Sequence, residues 1–173
     1  MRVARDAGLS LRIAAKVDPA DRTYFESEIR PLLESMPNVE FLGEIGDRAK
    51  AELLGGATAL LFPIDWPEPF GLVMIEALAC GTPVIARRRG SVPEVLRDGV
   101  TGFLCETETE MVHSVARLPE ISRRRCREEF DTKFTDRVMA KRYLDVYQRL
   151  LAHRGPANVD INKASNVDQP FNA

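Results

Sequence analysis

Two glutamates flank the start of an apolar helix in the middle of the sequence. Glu68 lies in the loop 62–71, and Glu76 lies about one turn inside the helix that follows it. The loop contains three prolines and ends at Gly71, where the backbone can approach a ligand closely. The first N–H groups of a helix lack partners within the helix and favour an anion such as phosphate. We therefore expect one carboxylate on each side of a bound phosphate.

The chemistry of these two carboxylates suits a nucleotide-sugar. A carboxylate accepts hydrogen bonds from two neighbouring hydroxyls, and a diphosphate between a sugar and a ribose would place such diols at both ends. The spacing alone is weak evidence, because many proteins carry two glutamates this far apart by chance. Glu76 is nevertheless embedded between Val73-Met74-Ile75 and Ala77-Leu78-Ala79. A carboxylate in apolar surroundings needs a partner, either a protein donor or a ligand.

Short apolar segments alternate with helical patterns along the chain, which predicts an α/β fold with a Rossmann-like parallel sheet and flanking helices. The predicted strands are 11–17, 39–43, 58–63, 83–86 and 102–104. The predicted helices between strands are 21–34, 47–54, 72–79 and 93–97, and helices 108–118, 120–130 and 136–152 follow the last strand. The Glu68 loop follows the nearly all-apolar strand 58–63, and ligands of such sheets bind at the carboxyl ends of the strands.

The ends of the chain differ from this regular pattern. Residues 2–8 resemble the end of a helix with no strand before it, so the first βα unit is expected to be largely missing. We expect one domain over 1–154 and a flexible polar tail over 155–173. Two buried helix faces are also predicted: Tyr24, Ile29, Leu32 and Leu33 in the first helix, and Val138, Tyr143, Val146, Leu150 and Leu151 in the last.

The composition excludes several classes of protein. The chain has 173 residues, 45% of them hydrophobic and 29% charged, with a net charge of −2. This balance argues against a dedicated nucleic-acid-binding protein, and no apolar run approaches the length of a membrane helix. Three scattered cysteines favour a reducing cytoplasm, and two histidines without ligand-like spacing make a zinc site unexpected.

The segment from Glu68-Pro69-Phe70-Gly71-Leu72 to Glu76, followed by Gly81-Thr82-Pro83, resembles the signature of glycosyltransferase family 4. The resemblance continues through 90–95 and 98–103 and spans residues 9–151. Members of this family are retaining enzymes with the two-domain GT-B fold. The resemblance thus implies the C-terminal half of a GT-B fold, followed by C-terminal helices.

The family pattern also implies roles for the matching residues. Glu68 is the expected catalytic residue, in contact with the donor sugar near its anomeric centre, and Glu76 is expected to bind the ribose diol. The remaining expected donor contacts are the backbone of Phe70, Gly71 and Leu72, the base-flanking Glu44 and Ile45, and Lys16. For Phe70 and Leu72 we expect the side chains themselves to lie in the core.

Three basic or aromatic features keep two interpretations each. Trp66 either lines an acceptor cleft or covers its loop. Lys16 and the triplet 87–89 either bind phosphate or form solvated surface. The second triplet, 123–125, is interpreted as surface.

The resemblance implies transfer of a sugar from a nucleoside diphosphate sugar to an acceptor hydroxyl, with retention of anomeric configuration and without a metal or further cofactor. The family's acceptor-binding N-terminal half, and a loop whose Arg and Lys hold the diphosphate, have no match in this chain. We therefore expect the isolated chain to be inactive, to bind nucleotide weakly and to self-associate through an open sheet edge. Its partners would be the nucleotide-sugar and the missing half or another chain. The expected location is cytoplasmic, and peripheral membrane contact of the complete enzyme stays open.

Two other functions remain as alternatives. The chain could be a non-catalytic module, derived from such an enzyme, that binds a nucleotide or a partner. A dinucleotide-dependent oxidoreductase on a similar fold is disfavoured, since no GxGxxG follows a strand. A nucleotide-sugar epimerase has no support from the residues around Glu68 and Glu76.

Overall fold

Strands and helices alternate along the chain, as its apolar pattern predicts. The computed structural model describes residues 1–153, and the tail expected over 155–173 lies outside the described residues. The strands are β1 (Leu11–Ala14), β2 (Val39–Gly43), β3 (Leu60–Phe62), β4 (Val84–Arg87) and β5 (Gly102–Cys105). The helices are α1 (Arg2–Asp6), α2 (Arg22–Tyr24), α3 (Arg30–Ser35), α4 (Asp47–Gly56), α5 (Leu72–Ala79), α6 (Val92–Val95), α7 (Glu108–Ala116), α8 (Arg123–Lys133) and α9 (Asp136–His153). The described residues form two units, 1–135 and 136–153.

All strand pairs in the described part of the chain are parallel, which confirms the predicted α/β class. The strands form two ladders, β1–β2 and β3–β4–β5, where the sequence suggested a single sheet. Leu60 lies opposite Val84, and Val84 lies opposite Gly102. Parallel pairing brings the carboxyl ends of β3, β4 and β5 to the same edge, which is where the Glu68 loop begins.

Strand β4 lies at the centre of the core. Val84, Ile85 and Ala86 are all buried. Because successive residues of a strand point to opposite faces, both faces of β4 are covered. Helix α5 packs on β3 and β4, and α7 packs on β4 and β5. The loop between β3 and α5 is therefore anchored at both ends in the core.

The first predicted helix is interrupted by a π-helical turn over Phe25–Ile29, between α2 and α3. Pro31 has no N–H to donate to the carbonyl four residues before it, so the regular α ladder cannot continue there. The half-buried positions become Phe25, Ile29 and Leu33, and the Phe25 ring packs against Phe41 of β2 with 5.1 Å between centroids. The predicted burial of Tyr24 and Leu32 is therefore wrong, as both are exposed.

Helix α9 was predicted to have a buried face, and within the described residues this is largely wrong. Tyr143, Val146, Leu150 and Leu151 are all exposed. Their spacing still forms an apolar stripe on an amphipathic helix. Burial of that stripe requires another surface, which a periodicity argument cannot supply. None of the helices within residues 1–153 is both long and apolar enough to cross a membrane.

Arg123 joins the ends of two helices, although the sequence suggested only a surface position. Its guanidinium donates hydrogen bonds to the carbonyls of Gly55 (2.8 Å) and Ala57 (2.7 Å), at the end of α4. It also donates to the hydroxyl of the buried Thr82, at 2.9 Å. These contacts satisfy carbonyls that the end of a helix leaves without partners.

We expect Arg123→Met to lower the free energy of unfolding by about 1–2 kcal/mol, because charge-assisted hydrogen bonds to backbone carbonyls are lost. Arg124→Met is the matched control. Arg124 is 84% exposed, and within residues 1–153 its ion pair is with Glu128, one turn further along α8. Its substitution should therefore lower the free energy of unfolding by less than about 0.5 kcal/mol. Urea unfolding of both variants measures the difference, and equal losses would contradict the role of Arg123.

Candidate functional site

Glu68 is held by two hydrogen bonds in the loop between β3 and α5. One carboxylate oxygen accepts the backbone N–H of Gly71 at 3.0 Å, and the other accepts the indole N–H of Trp66 at 3.2 Å. Gly71 is the N-cap of α5 and has a φ of +74°. The carboxylate therefore lies at the N-terminus of the helix, next to its partial positive charge. Trp66, for which two roles were open, is exposed and orients Glu68.

The backbone of Glu68 is fixed by the turn that follows β4. The N–H of Ser91 donates to the Glu68 carbonyl at 2.9 Å. Gly90 has a φ of +50°, and a Cβ built on it would lie 2.5 Å from the Glu68 nitrogen and closer still to the Glu68 carbonyl oxygen. Only glycine allows the two backbones to approach this closely. The turn after β4 therefore sets the position of the carboxylate.

Phe70 and Leu72 were expected to bury their side chains in the core, and this expectation is wrong. Phe70 is 43% exposed and Leu72 is 63% exposed. Helix α5 instead anchors itself through Met74, Ala77 and Leu78, which are fully buried. Trp66 is exposed as well, so three apolar side chains of this segment face solvent. Gly71 between Phe70 and Leu72 is buried, and its N–H already donates to Glu68.

Glu76 has a protein partner, as expected for a carboxylate whose neighbours in the sequence are apolar. Lys50 of α4 donates to one oxygen of Glu76 at 2.8 Å and lies 3.3 Å from the Asp47 carboxylate. The hydrogen bonds to Glu76 and Asp47 raise the pKa of Lys50 above its ordinary value, so Lys50 is charged at neutral pH. Glu76 is thus a partly exposed carboxylate with one oxygen bound to a cation.

The predicted base-flanking residues lie close in sequence to this pair. Glu44 and Ile45 connect β2 to α4, whose second turn begins near Lys50. Lys16 follows β1, and the N–H of Ala15 donates to the carbonyl of Gly43 at the end of β2. Lys16 is exposed on the other ladder, and no contact joins it to Glu68 or Glu76 within residues 1–153.

The basic triplet after β4 is partly neutralised. Arg88 and Arg89 pair with Glu106 at 3.2 and 3.3 Å. Because Gly90 immediately follows them, they lie at the same sheet edge as Glu68. Among residues 1–153, no group of three or more His, Cys, Asp or Glu side chains is placed to hold a metal ion.

The sequence analysis did not find three contacts that shape the site: the cation on Glu76, the turn against Glu68 and the indole bond to Glu68. The need of Glu76 for a partner was a usable signal, since it directs attention to cations on neighbouring helices. No comparable signal marks Gly90, because a glycine in a turn has many explanations. These residues are Lys50, Gly90 and Trp66.

The profile of the family described as "Glycosyl transferases group 1" matches residues 18–132. The chain is 31% identical over 170 residues to an alpha-maltose-1-phosphate synthase of Mycolicibacterium smegmatis, a match that covers 87% of this chain and 43% of the relative. It is also 31% identical over 141 residues to a glycogen synthase of Thermodesulfovibrio yellowstonii, covering 76% of this chain and 28% of the relative.

Solved structures also match most of this chain but less than half of their own length. Sucrose-phosphate synthase from Thermosynechococcus elongatus has a TM-score of 0.71 and 27% identity, covering 88% of this chain and 42% of that one. Anabaena HepE in complex with UDP has a TM-score of 0.74, with 86% of this chain and 45% of that one covered. Its identity is 19%, so this likeness concerns the fold. The chain spans less than half the length of each of these four proteins.

Proposed function

Because this chain belongs to the group 1 glycosyltransferases, we propose that it forms the donor-binding part of a retaining glycosyltransferase. The reaction moves a sugar from a nucleoside diphosphate sugar to an acceptor hydroxyl. The family assignment favours sugar transfer over the epimerase and oxidoreductase alternatives. A nucleotide-sugar is thus the proposed ligand of the Glu68–Glu76 site.

The placement of the two glutamates about helix α5 carries this proposal. Glu68 bonds to the N-cap Gly71, and Glu76 lies four residues past the first residue of the helix, about 6 Å further along its axis. A diphosphate at the N-terminus of α5 would lie between them. Glu68 would then meet the hydroxyls of the sugar, and Glu76 would meet those of the ribose.

The chemical contribution of this part is to stabilise the departing diphosphate. The partial positive charge at the N-terminus of α5 acts where negative charge develops as the glycosidic bond breaks. Both oxygens of Glu68 already accept hydrogen bonds from Gly71 and Trp66. The remaining lone pairs can accept from sugar hydroxyls, so we assign Glu68 to binding and charge stabilisation near the anomeric centre and propose no covalent intermediate.

We further propose that transfer requires a second, acceptor-binding half. The chain spans less than half the length of the relatives it matches. A cleft between two halves would also place the exposed surface of Trp66, Phe70 and Leu72 against the acceptor. The chain alone is expected to be inactive, and addition of the missing half in trans is expected to restore release of nucleoside diphosphate.

Calorimetric titration with UDP, GDP and ADP tests the donor site on the chain itself. UDP is included because the HepE structure of the same fold contains it. We expect one nucleotide to bind and Glu76→Ala to weaken that binding at least about tenfold, since hydrogen bonds to a charged group are lost.

Glu52→Ala is the matched control for this titration. Glu52 is a carboxylate on α4 that pairs with Arg48 in an exposed position, so its removal should leave nucleotide affinity unchanged. A folded chain that binds none of the three nucleotides would overturn the donor-site proposal. Equal losses in the two variants would overturn the role of Glu76.

A non-catalytic, partner-binding module is the second candidate function. The observation that favours it is the exposed apolar stripe of α9, which includes Tyr143, Tyr147, Leu150 and Leu151. Such a stripe is typical of a surface that another chain covers. Absence of transfer after addition of the acceptor half, by a chain that still associates with it, would favour this candidate.

A further inference from the structure

Lys50 is the one cationic side chain in the described residues that contacts Glu76. Its Nζ lies 2.8 Å from a Glu76 oxygen, and the two residues are 26 positions apart in the chain. Their helices, α4 and α5, pack against each other. The contact is therefore a tertiary one, made across a helix interface.

We propose that Lys50 is a positioning residue that holds Glu76 ready for the hydroxyls of a bound ribose. This inference rests on the proposed function, since it assigns a role within the same nucleotide site. Lys50 binds only one oxygen of Glu76. The other oxygen, and a remaining lone pair on the first, stay available for two neighbouring hydroxyls.

The partial burial of the pair distinguishes it from the ion pairs on the protein surface. The side chains of Lys50 and Glu76 are each 35% exposed. The Arg48–Glu52 pair on the same helix is 95% and 69% exposed. Surface pairs fix side chains weakly because water competes for both charges. At the α4–α5 interface fewer conformations are open to Glu76, so the lysine can select the one that faces a ligand.

The Asp47 carboxylate also lies near Lys50, at 3.3 Å and three residues earlier on α4. Its side chain is fully exposed, so this pair orients Lys50 only weakly. The contact with Glu76 across the helix interface is the one that fixes the lysine. A ligand-binding group held by such a supporting contact loses less conformational freedom when its ligand binds.

The test compares two forms of each nucleotide. The chain is titrated with UDP, GDP and ADP and with their 2′,3′-dideoxy forms, which lack the hydroxyls that Glu76 would bind. Lys50→Met should weaken binding of the ordinary nucleotide about tenfold. The same variant should bind the dideoxy form as well as the wild-type chain does, because that ligand gains nothing from an ordered Glu76.

Arg48→Met is the matched control, because it removes a cation from the same helix without touching Glu76. We expect it to bind both forms like the wild-type chain. In a Glu76→Gln background, Lys50→Met should have no further effect on affinity. Should Lys50→Met fail to fold, Lys50→Gln makes the same comparison.

The outcomes separate this inference from the proposed function. A wild-type chain that binds no nucleotide overturns both. A wild-type chain that binds one nucleotide, with an unchanged affinity in the Lys50 variant, overturns the positioning role alone. Equal losses for the ordinary and dideoxy forms also overturn it, because they would mark Lys50 as a structural tether between helices.

Discussion

Gly90→Ala is expected to destabilise the chain by about 2–4 kcal/mol and to remove its affinity for a nucleotide-sugar. The added Cβ would lie 2.5 Å from the backbone nitrogen of Glu68 and closer still to its carbonyl oxygen. Backbone atoms cannot rotate away as the end of a side chain can. Either the turn after β4 or the Glu68 loop must therefore move, and the bond from Ser91 to Glu68 breaks with it.

Gly99→Ala separates the contact from the backbone conformation. Gly99 also has a positive φ, +71°, but a Cβ there would meet nothing within 4 Å. Gly99→Ala should therefore lower the free energy of unfolding by only about 1–2 kcal/mol, the cost of a left-handed backbone for alanine, and leave ligand binding intact. Urea unfolding and calorimetry on both variants measure the two effects. If both alanines cost the same, the close approach of Gly90 to Glu68 does not position the site.

Glu68→Gln is expected to weaken nucleotide-sugar binding by about tenfold to a hundredfold while leaving nucleoside diphosphate binding unchanged. A neutral amide accepts more weakly from sugar hydroxyls than a carboxylate does. One end of the amide must also present an N–H group to the donor of Gly71 or Trp66. The substitution thus removes the charge and disturbs the orientation, both at the sugar end of the site.

Calorimetry with UDP-glucose and UDP measures the ratio of the two affinities. The corresponding pair is used for another nucleotide if the chain prefers one. Asp65→Asn is the matched control, since it removes an exposed acid from the same loop and should change neither affinity. A parallel loss of UDP and UDP-glucose binding in Glu68→Gln would mean that Glu68 acts through the loop structure. The proposed contact with the sugar would then be wrong.

The order of the elements followed from local features of the sequence. Apolar runs and helical periodicity placed each strand and helix with ends within three residues of those observed. These signals suffice because periodicity, glycine and proline act on the chain over a few neighbouring residues. The Glu68 loop and the start of α5 after Gly71 were predicted from the same kind of local signal. The π-helical turn before Pro31 shows the limit: Ile29 and Leu33 are half-buried on the predicted face, but Phe25 takes the place expected for Tyr24.

Burial of individual side chains was the least predictable property. Phe70 and Leu72 are apolar and lie beside a core helix, yet both are exposed. Which face of α5 meets the core depends on how α5 packs on β3 and β4, and hydrophobicity alone does not determine that. The apolar stripe of α9 was located correctly, but its burial depends on a surface that periodicity does not describe.

The sequence by itself determined the fold class, the family and the two glutamates, because each depends on residue types at fixed local spacing. The tertiary structure alone decided what holds those glutamates. Lys50 reaches Glu76 across a helix interface, and Gly90 meets Glu68 across neighbouring strand ends. Such contacts join residues more than 20 positions apart in the chain. They arise only when strands and helices pack, so no local pattern encodes them.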